Sequence, residues 1–114
     1  MKRPVIYIRN KNFNLKQLFD ENERYIRIYT IKMIEEAMEF GNDVIHVVEI
    51  QVDPKIAKNI SVEKYELDVM MSKPAWPNAL KNALSYFEQT EEFEICAKIR
   101  NIYNKLTTQL DEQQ

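Results

Sequence analysis

The sequence predicts an α+β fold in a single domain, 1–114: a small sheet with a β-α-β start and a possible third strand, packed with a C-terminal antiparallel helical hairpin. Three observations carry that prediction. VIHVVEIQV, residues 44–52, is the strongest strand in the chain, dense in β-branched side chains. The run Val5-Ile6-Tyr7-Ile8 is a second, shorter strand. Over residues 78–110 the apolar positions recur at helical spacing in two blocks around an acidic break. The chain accordingly divides into a strand-helix-strand portion over 1–53, a connecting segment over 54–77 and the hairpin over 78–110.

In order, residues 4–9 read as a strand, and 10–14 as a polar turn in which Asn14 is placed to cap a helix carrying Leu15, Leu18 and Phe19. Residues 22–40 are predicted as one continuous helix. Ile26, Tyr29, Met33, Ile34, Ala37, Met38 and Phe40 share an apolar face, Arg24, Lys32, Glu35, Glu36 and Glu39 gather opposite, and Ile28 and Ile31 fall off the apolar face. The β-formers in 25–31 leave open a strand before a shorter helix; the segregation of polar residues decides for the helix. Gly41 supplies a left-handed cap and Asn42-Asp43 a turn. In the strand that follows, the even positions Val44, His46, Val48, Ile50 and Val52 form one face, and the other ends polar at Glu49 and Gln51. Asp53-Pro54 ends it. A helix between two strands makes a right-handed parallel crossover the default, with antiparallel pairing left open.

The connecting segment is ambiguous. Residues 54–60 fit a short helix. Tyr65, Leu67 and Val69 alternate with Glu66, Asp68 and Met70 as a third strand does, and a helix over 61–71 fits nearly as well. Residues 72–77, with prolines on both sides of Trp76, form a rigid linker. Trp76 serves there as an anchor of the hairpin on the sheet or, if exposed, as a partner hot spot; the anchor is favoured.

In the hairpin, Leu80, Ala83, Leu84 and Phe87 give the first helix one apolar face, and Phe93, Cys96, Ala97, Ile99, Tyr103, Leu106 and Leu110 give the second another. Pro77 suits a first helical turn. Thr90 is the expected N-cap of the second helix. Glu91, Glu92 and Glu94 follow at the positive end of its dipole, with Lys98, Arg100 and Lys105 toward the other end. Asp111 and Glu112 oppose the dipole, so that end is expected to fray.

Phe93-Glu94-Ile95-Cys96-Ala97-Lys98-Ile99-Arg100-Asn101, followed by Tyr103 and Leu106, resembles the UVR motif, the helical-hairpin segment of the excision-repair proteins UvrB and UvrC and of some stress-response adaptors. The family pattern runs roughly Phe-Glu-x-Ala-Ala-x-Leu-Arg-Asp-x-Ile-x-x-Leu. Here Cys96 stands for the first Ala, Asn101 for the Asp and Tyr103 for the Ile. The first helix departs from the pattern, with Glu88 and Glu91 where the family has small or apolar residues. The resemblance covers about a quarter of the chain, and helix periodicity alone gives the same pattern. It implies contact between two such hairpins, hence a protein partner or a homodimer.

Composition excludes several classes. With 45% hydrophobic residues and a formal net charge of −2, the chain is a folding, not a disordered, sequence. No apolar run approaches the ~20 residues that cross a bilayer, and MKRPVIYIRN lacks a signal peptide's apolar core. The lone Cys96 cannot pair within the chain, which favours a reducing cytoplasm. A single glycine excludes phosphate-cradling glycine loops. Abundant Lys, Asn and Ile hint at an AT-rich bacterial or phage genome.

No catalytic, metal or cofactor site is expected. His46, the one histidine, sits on the apolar face of a strand with Glu49 on the other, and a general base needs a partner within hydrogen-bond reach. Cys96 occupies a packing position with Arg100, four residues on, as one candidate activator, and no Cys/His cluster has zinc spacing. The clusters Glu35, Glu36, Glu39 and Glu91, Glu92, Glu94 read as solvated helix surface.

Two functions follow as expectations. The first is a non-enzymatic adaptor, inhibitor or accessory subunit that binds another protein through Phe93, Ile99, Arg100 and Tyr103. The second is a small nucleic-acid-binding accessory protein. Residues 1–19 hold five basic residues (Lys2, Arg3, Arg9, Lys11, Lys16) and no acid, with Tyr7 or Phe13 as a base-stacking residue.

Overall fold

The computed structural model of the chain describes residues 1–59 and 66–112. The elements run β1 (Val5–Ile8), α1 (Leu15–Glu21), α2 (Glu23–Phe40), β2 (Val44–Val52), α3 (Pro54–Asn59), β3 (Glu66–Ser72), a single 3-10 turn (Lys73–Ala75), α4 (Trp76–Gln89) and α5 (Phe93–Glu112). The fold is α+β, with a mixed three-stranded sheet and a C-terminal helix pair. The sheet order is β1-β2-β3. β1 pairs parallel with β2, Val5 against Glu49 through Ile8 against Val52, so β3 is the antiparallel member. Tyr65, expected in the third strand, and the start of the alternative helix over 61–71 lie outside the described residues.

The chain forms two compact units, one of Met1–Thr30 with His46–Met70, the other of Ile31–Ile45 with Met71–Gln114. In the first, the parallel register sets Ile6 beside Ile50 and Ile8 beside Val52, and all four are buried together with Val48, Ile26 and Tyr29. This is the even face of β2 expected to be apolar. The alternation is incomplete, however. Val44 is exposed on that face, while Ile45 and Val47 are buried on the other, so both faces of the strand are buried only from its middle, at Val47 and Val48. Asn14 caps α1, its Oδ1 accepting from the Gln17 N–H at 3.1 Å. The continuous-helix reading of 22–40 holds, with α2 unbroken from Glu23.

In the second unit, Ile31, Ile34 and Ala37 of α2 are buried. Ile31, expected off the apolar face, is covered because the enclosed arc of this helix is wider than one stripe. Phe40, expected on that face, is 72% exposed at the helix end. Gly41 adopts φ +73°, and the Asn42 N–H reaches back to the Ala37 carbonyl at 2.9 Å, as a left-handed cap requires. Trp76 is fully buried and its Nε1–H donates to the Met71 carbonyl at 3.1 Å, tying the start of α4 to the end of β3. An exposed hot-spot role is thereby closed to it.

Helices α4 and α5 pack as the expected antiparallel pair around Leu80, Phe87, Cys96, Ile99 and Leu106, each at most 1% exposed. Lys98 of α5 meets Glu35 of α2 at 3.4 Å. The turn between the helices differs from expectation. Thr90 is the C-cap of α4, not the N-cap of α5. Glu91 takes φ +58°; its N–H bonds the Glu88 carbonyl at 3.1 Å and the Glu92 N–H bonds the Phe87 carbonyl at 2.9 Å. That is a Schellman turn with glutamate where glycine is usual. The Glu92 carbonyl then accepts from Cys96 N–H and starts α5, while the Thr90 hydroxyl donates to the Glu92 carboxylate at 2.7 Å.

Candidate partner-binding surface

The spacing that makes α5 amphipathic also builds an outward stripe. At 100° per residue, Phe93, Ala97, Arg100 and Asn104 fall within about 60° of one another, and all four are exposed. Phe93 and Ala97 were expected on the apolar, packed face. The buried stripe instead runs through Cys96, Ile99, Ile102 and Leu106, leaving Phe93 67% exposed.

Beside the stripe, α4 and α5 diverge enough to leave a groove of about 260 Å³ lined by Leu80, Lys81, Leu84, Ile99, Arg100, Tyr103 and Asn104. Its floor is apolar and its rim cationic. Lys81 Nζ lies 5.6 Å from the centre of the Tyr103 ring, a cation–π distance. Arg100 Nη2 bonds Glu88 Oε1 at 3.1 Å across the two helices. This pair holds the guanidinium over the hairpin; both members are about half exposed, so it orients more than it stabilises.

The four residues expected to meet a partner are thus divided. Arg100 and Tyr103 line the groove, and Phe93 stands out on the same helix nearer the acidic turn. Ile99 is 1% exposed and belongs to the hairpin interior, forming groove floor and not contact surface. Lys81, Leu84 and Asn104 were missed. Leu84 was assigned to the helix core, and nothing in the sequence sets Lys81 beside Tyr103, because that proximity comes from the pairing of two helices.

The basic N-terminal residues are less organised. Lys2 and Arg3 are exposed ahead of β1, and the Tyr25 hydroxyl donates to the Lys2 carbonyl. The Arg9 guanidinium lies 4.7 Å above the Tyr7 ring, which is 47% exposed, and Lys11 is exposed in the following turn. Lys16 bonds Asp20 at 2.8 Å, and that hydrogen bond, helped by the carboxylate's charge, raises its pKa above the ordinary lysine value. This partner lies one residue beyond the acid-free run 1–19.

His46 has its partner on β3. Its Nε2 lies 2.9 Å from Asp68 Oδ1, the Tyr29 ring stands edge-on at 6.1 Å, and its buried Nδ1 has no hydrogen-bond partner. The nitrogen left over for chemistry is the enclosed one, an arrangement that does not present a base to a substrate. Among the described residues no three His, Cys, Asp or Glu side chains are grouped to hold a metal ion, and no helix is long and apolar enough to cross a membrane. Comparison with protein-family models, curated proteins and solved structures finds no match to this chain.

Proposed function

We propose that this chain is a non-enzymatic interaction protein of the cytoplasm, an adaptor, inhibitor or accessory subunit of bacterial or phage type, that engages another protein through the α4–α5 hairpin. One observation carries the reading: an apolar groove with a Lys81–Arg100 rim and an exposed Phe93 occur on one hairpin. Exposed aromatic and arginine side chains around an apolar depression are what interface anchors use. The resemblance of residues 93–106 to the UVR hairpin points the same way. The test is a pull-down from nuclease-treated lysate, comparing the native chain with Tyr103→Ala and Arg100→Ala. A stoichiometric protein partner that both variants lose supports the site; one that both retain removes it.

A second reading, nucleic-acid binding at the N-terminal segment, is favoured by the Arg9–Tyr7 stack, since a guanidinium on an exposed ring is a platform for an unpaired base. Affinity for single-stranded RNA that falls steeply with salt and is lost in Tyr7→Ala supports it. Undetectable or salt-insensitive affinity refutes it.

A further inference from the structure

We propose that β3 is a homophilic edge: two copies of this chain pair antiparallel along it, with Val69 on the two-fold axis. β3 ends the strand order β1-β2-β3, so among the described residues one of its sides has no strand neighbour. Open edges are normally blunted by charged side chains, lysine above all, by proline or by a bulge; the two charges here, Glu66 and Asp68, lie in the first half of the strand, and Asp68 is bonded to His46. Glu66–Ser72, ELDVMMS, has neither Lys nor Pro, and Leu67, Val69 and Met70 are 42%, 37% and 53% exposed. Unpaired backbone groups flanked by exposed apolar side chains are a template for another strand.

The order of residues selects the occupant. Around Val69, two-fold pairing sets Leu67 against Met71, Asp68 against Met70 and Glu66 against Ser72, using every residue of the strand. One face is then wholly apolar, and on the other no acid opposes an acid. An axis at Asp68 puts that carboxylate against its own copy, and an axis at Leu67 puts Glu66 against Asp68; directly opposed like charges are destabilising. An axis at Met70 leaves Leu67 unpaired. His46, bonded to Asp68 at 2.9 Å, holds the acid that discriminates among these registers. The contact is isologous and closes on itself, giving a dimer and not a filament. A lone strand edge is smaller than the ~800 Å² per partner of a standard interface, so a weak dimer is expected and its test runs to high micromolar concentration. None of this depends on the hairpin surface.

Cysteine scanning on the full chain tests it, because the native Cys96 is buried. Directly opposed residues lie ~4.5–5.5 Å apart, within disulfide reach. Under mild oxidation Val69→Cys is expected to cross-link to itself. Leu67→Cys and Met71→Cys are each expected to cross-link poorly alone and efficiently when mixed. In sedimentation equilibrium Met70→Lys, which sets a lysine against the partner's Asp68 on both sides of the axis, is expected to tighten the dimer several-fold, and Met70→Glu to loosen it. A chain that stays monomeric through high micromolar concentration overturns the proposal, as does equal cross-linking at all three positions. So does a dimer that is lost in Phe93→Ser and kept in Val69→Lys. A monomer that captures a peptide of alternating Lys and Val on β3 assigns the edge to a cationic foreign strand, and also overturns it.

Discussion

Replacing Glu91 with glycine is expected to stabilise the protein. Glu91 holds φ +58° in the turn between α4 and α5. That region brings Cβ close to the following carbonyl oxygen and costs a non-glycine residue about 1–2 kcal/mol. Glycine removes the clash but brings about 0.5–1 kcal/mol of extra unfolded-state freedom, leaving a net gain of roughly 0.5–1 kcal/mol. The carboxylate complicates a direct comparison, since it lies between the negative end of α4 and the positive end of α5. Glu91→Ala removes the carboxylate and keeps the strain, so the difference between Gly and Ala isolates the backbone contribution. Urea denaturation followed by far-UV circular dichroism reads it. Glu91→Gly is expected to exceed Glu91→Ala by about 1 kcal/mol, or about 3–5 °C in Tm for a chain of this size, with unchanged m. A glycine variant no more stable than the alanine variant refutes the reasoning, and means that the bonds from Glu91 and Glu92 back to Glu88 and Phe87 do not survive the substitution.

Three further outcomes are expected. Phe87→Ala empties a fully buried position between α4 and α5 and is expected to cost about 3–5 kcal/mol, read as a lower urea midpoint; a loss under about 1 kcal/mol would show that the helix pair collapses around the void. Trp76→Phe removes the donor to the Met71 carbonyl and leaves a void where the larger indole stood, costing about 2–4 kcal/mol; an unchanged Tm would mean that water fills the void and replaces the indole N–H. His46→Phe removes a buried nitrogen that has no partner, and Asp68, 56% exposed, regains water in place of its histidine, so stability is expected to hold within about 1 kcal/mol or to rise. A loss above about 2 kcal/mol would show that the His46–Asp68 bond does more for the fold than its exposure implies.

Local chemistry was legible wherever it determines structure by itself. Asn14, Gly41 and the Val44–Val52 run each specify a cap, a turn or a strand without help from distant residues. The parallel pairing of β1 with β2 followed from the helical connection between them. Periodicity, however, says which residues share a face and is silent on which face the fold covers. That is why Phe93 and Ala97 fell on the wrong side of α5, and Ile31 on the wrong side of α2. Thr90 is an N-cap residue by type, but the left-handed Glu91 that follows it closes α4 and makes Thr90 that helix's C-cap. The His46–Asp68 bond and the Lys81–Tyr103 stack each join residues 22 positions apart, a separation at which local pattern carries no information. The groove is a product of helix pairing, so the sequence offered its α5 residues but not its α4 wall.

The division into two units has a bearing on how the chain is made. The first unit takes residues from both sides of 31–45, and the second waits for residues beyond 71 to join that same stretch. A nascent chain that has emerged as far as residue 70 holds everything the first unit requires, while the second half of α2 still lacks its neighbours from α4 and α5. Because domains fold as units during synthesis, the buried faces of Ile31, Ile34 and Ala37 stay uncovered until the last third of the chain arrives. Stalled or nonsense-truncated products ending before α5 therefore expose that stripe and are the species that chaperones and proteases meet. No single cut releases either unit intact, which makes the hairpin a poor candidate for excision and the full chain the proper object for mapping any partner.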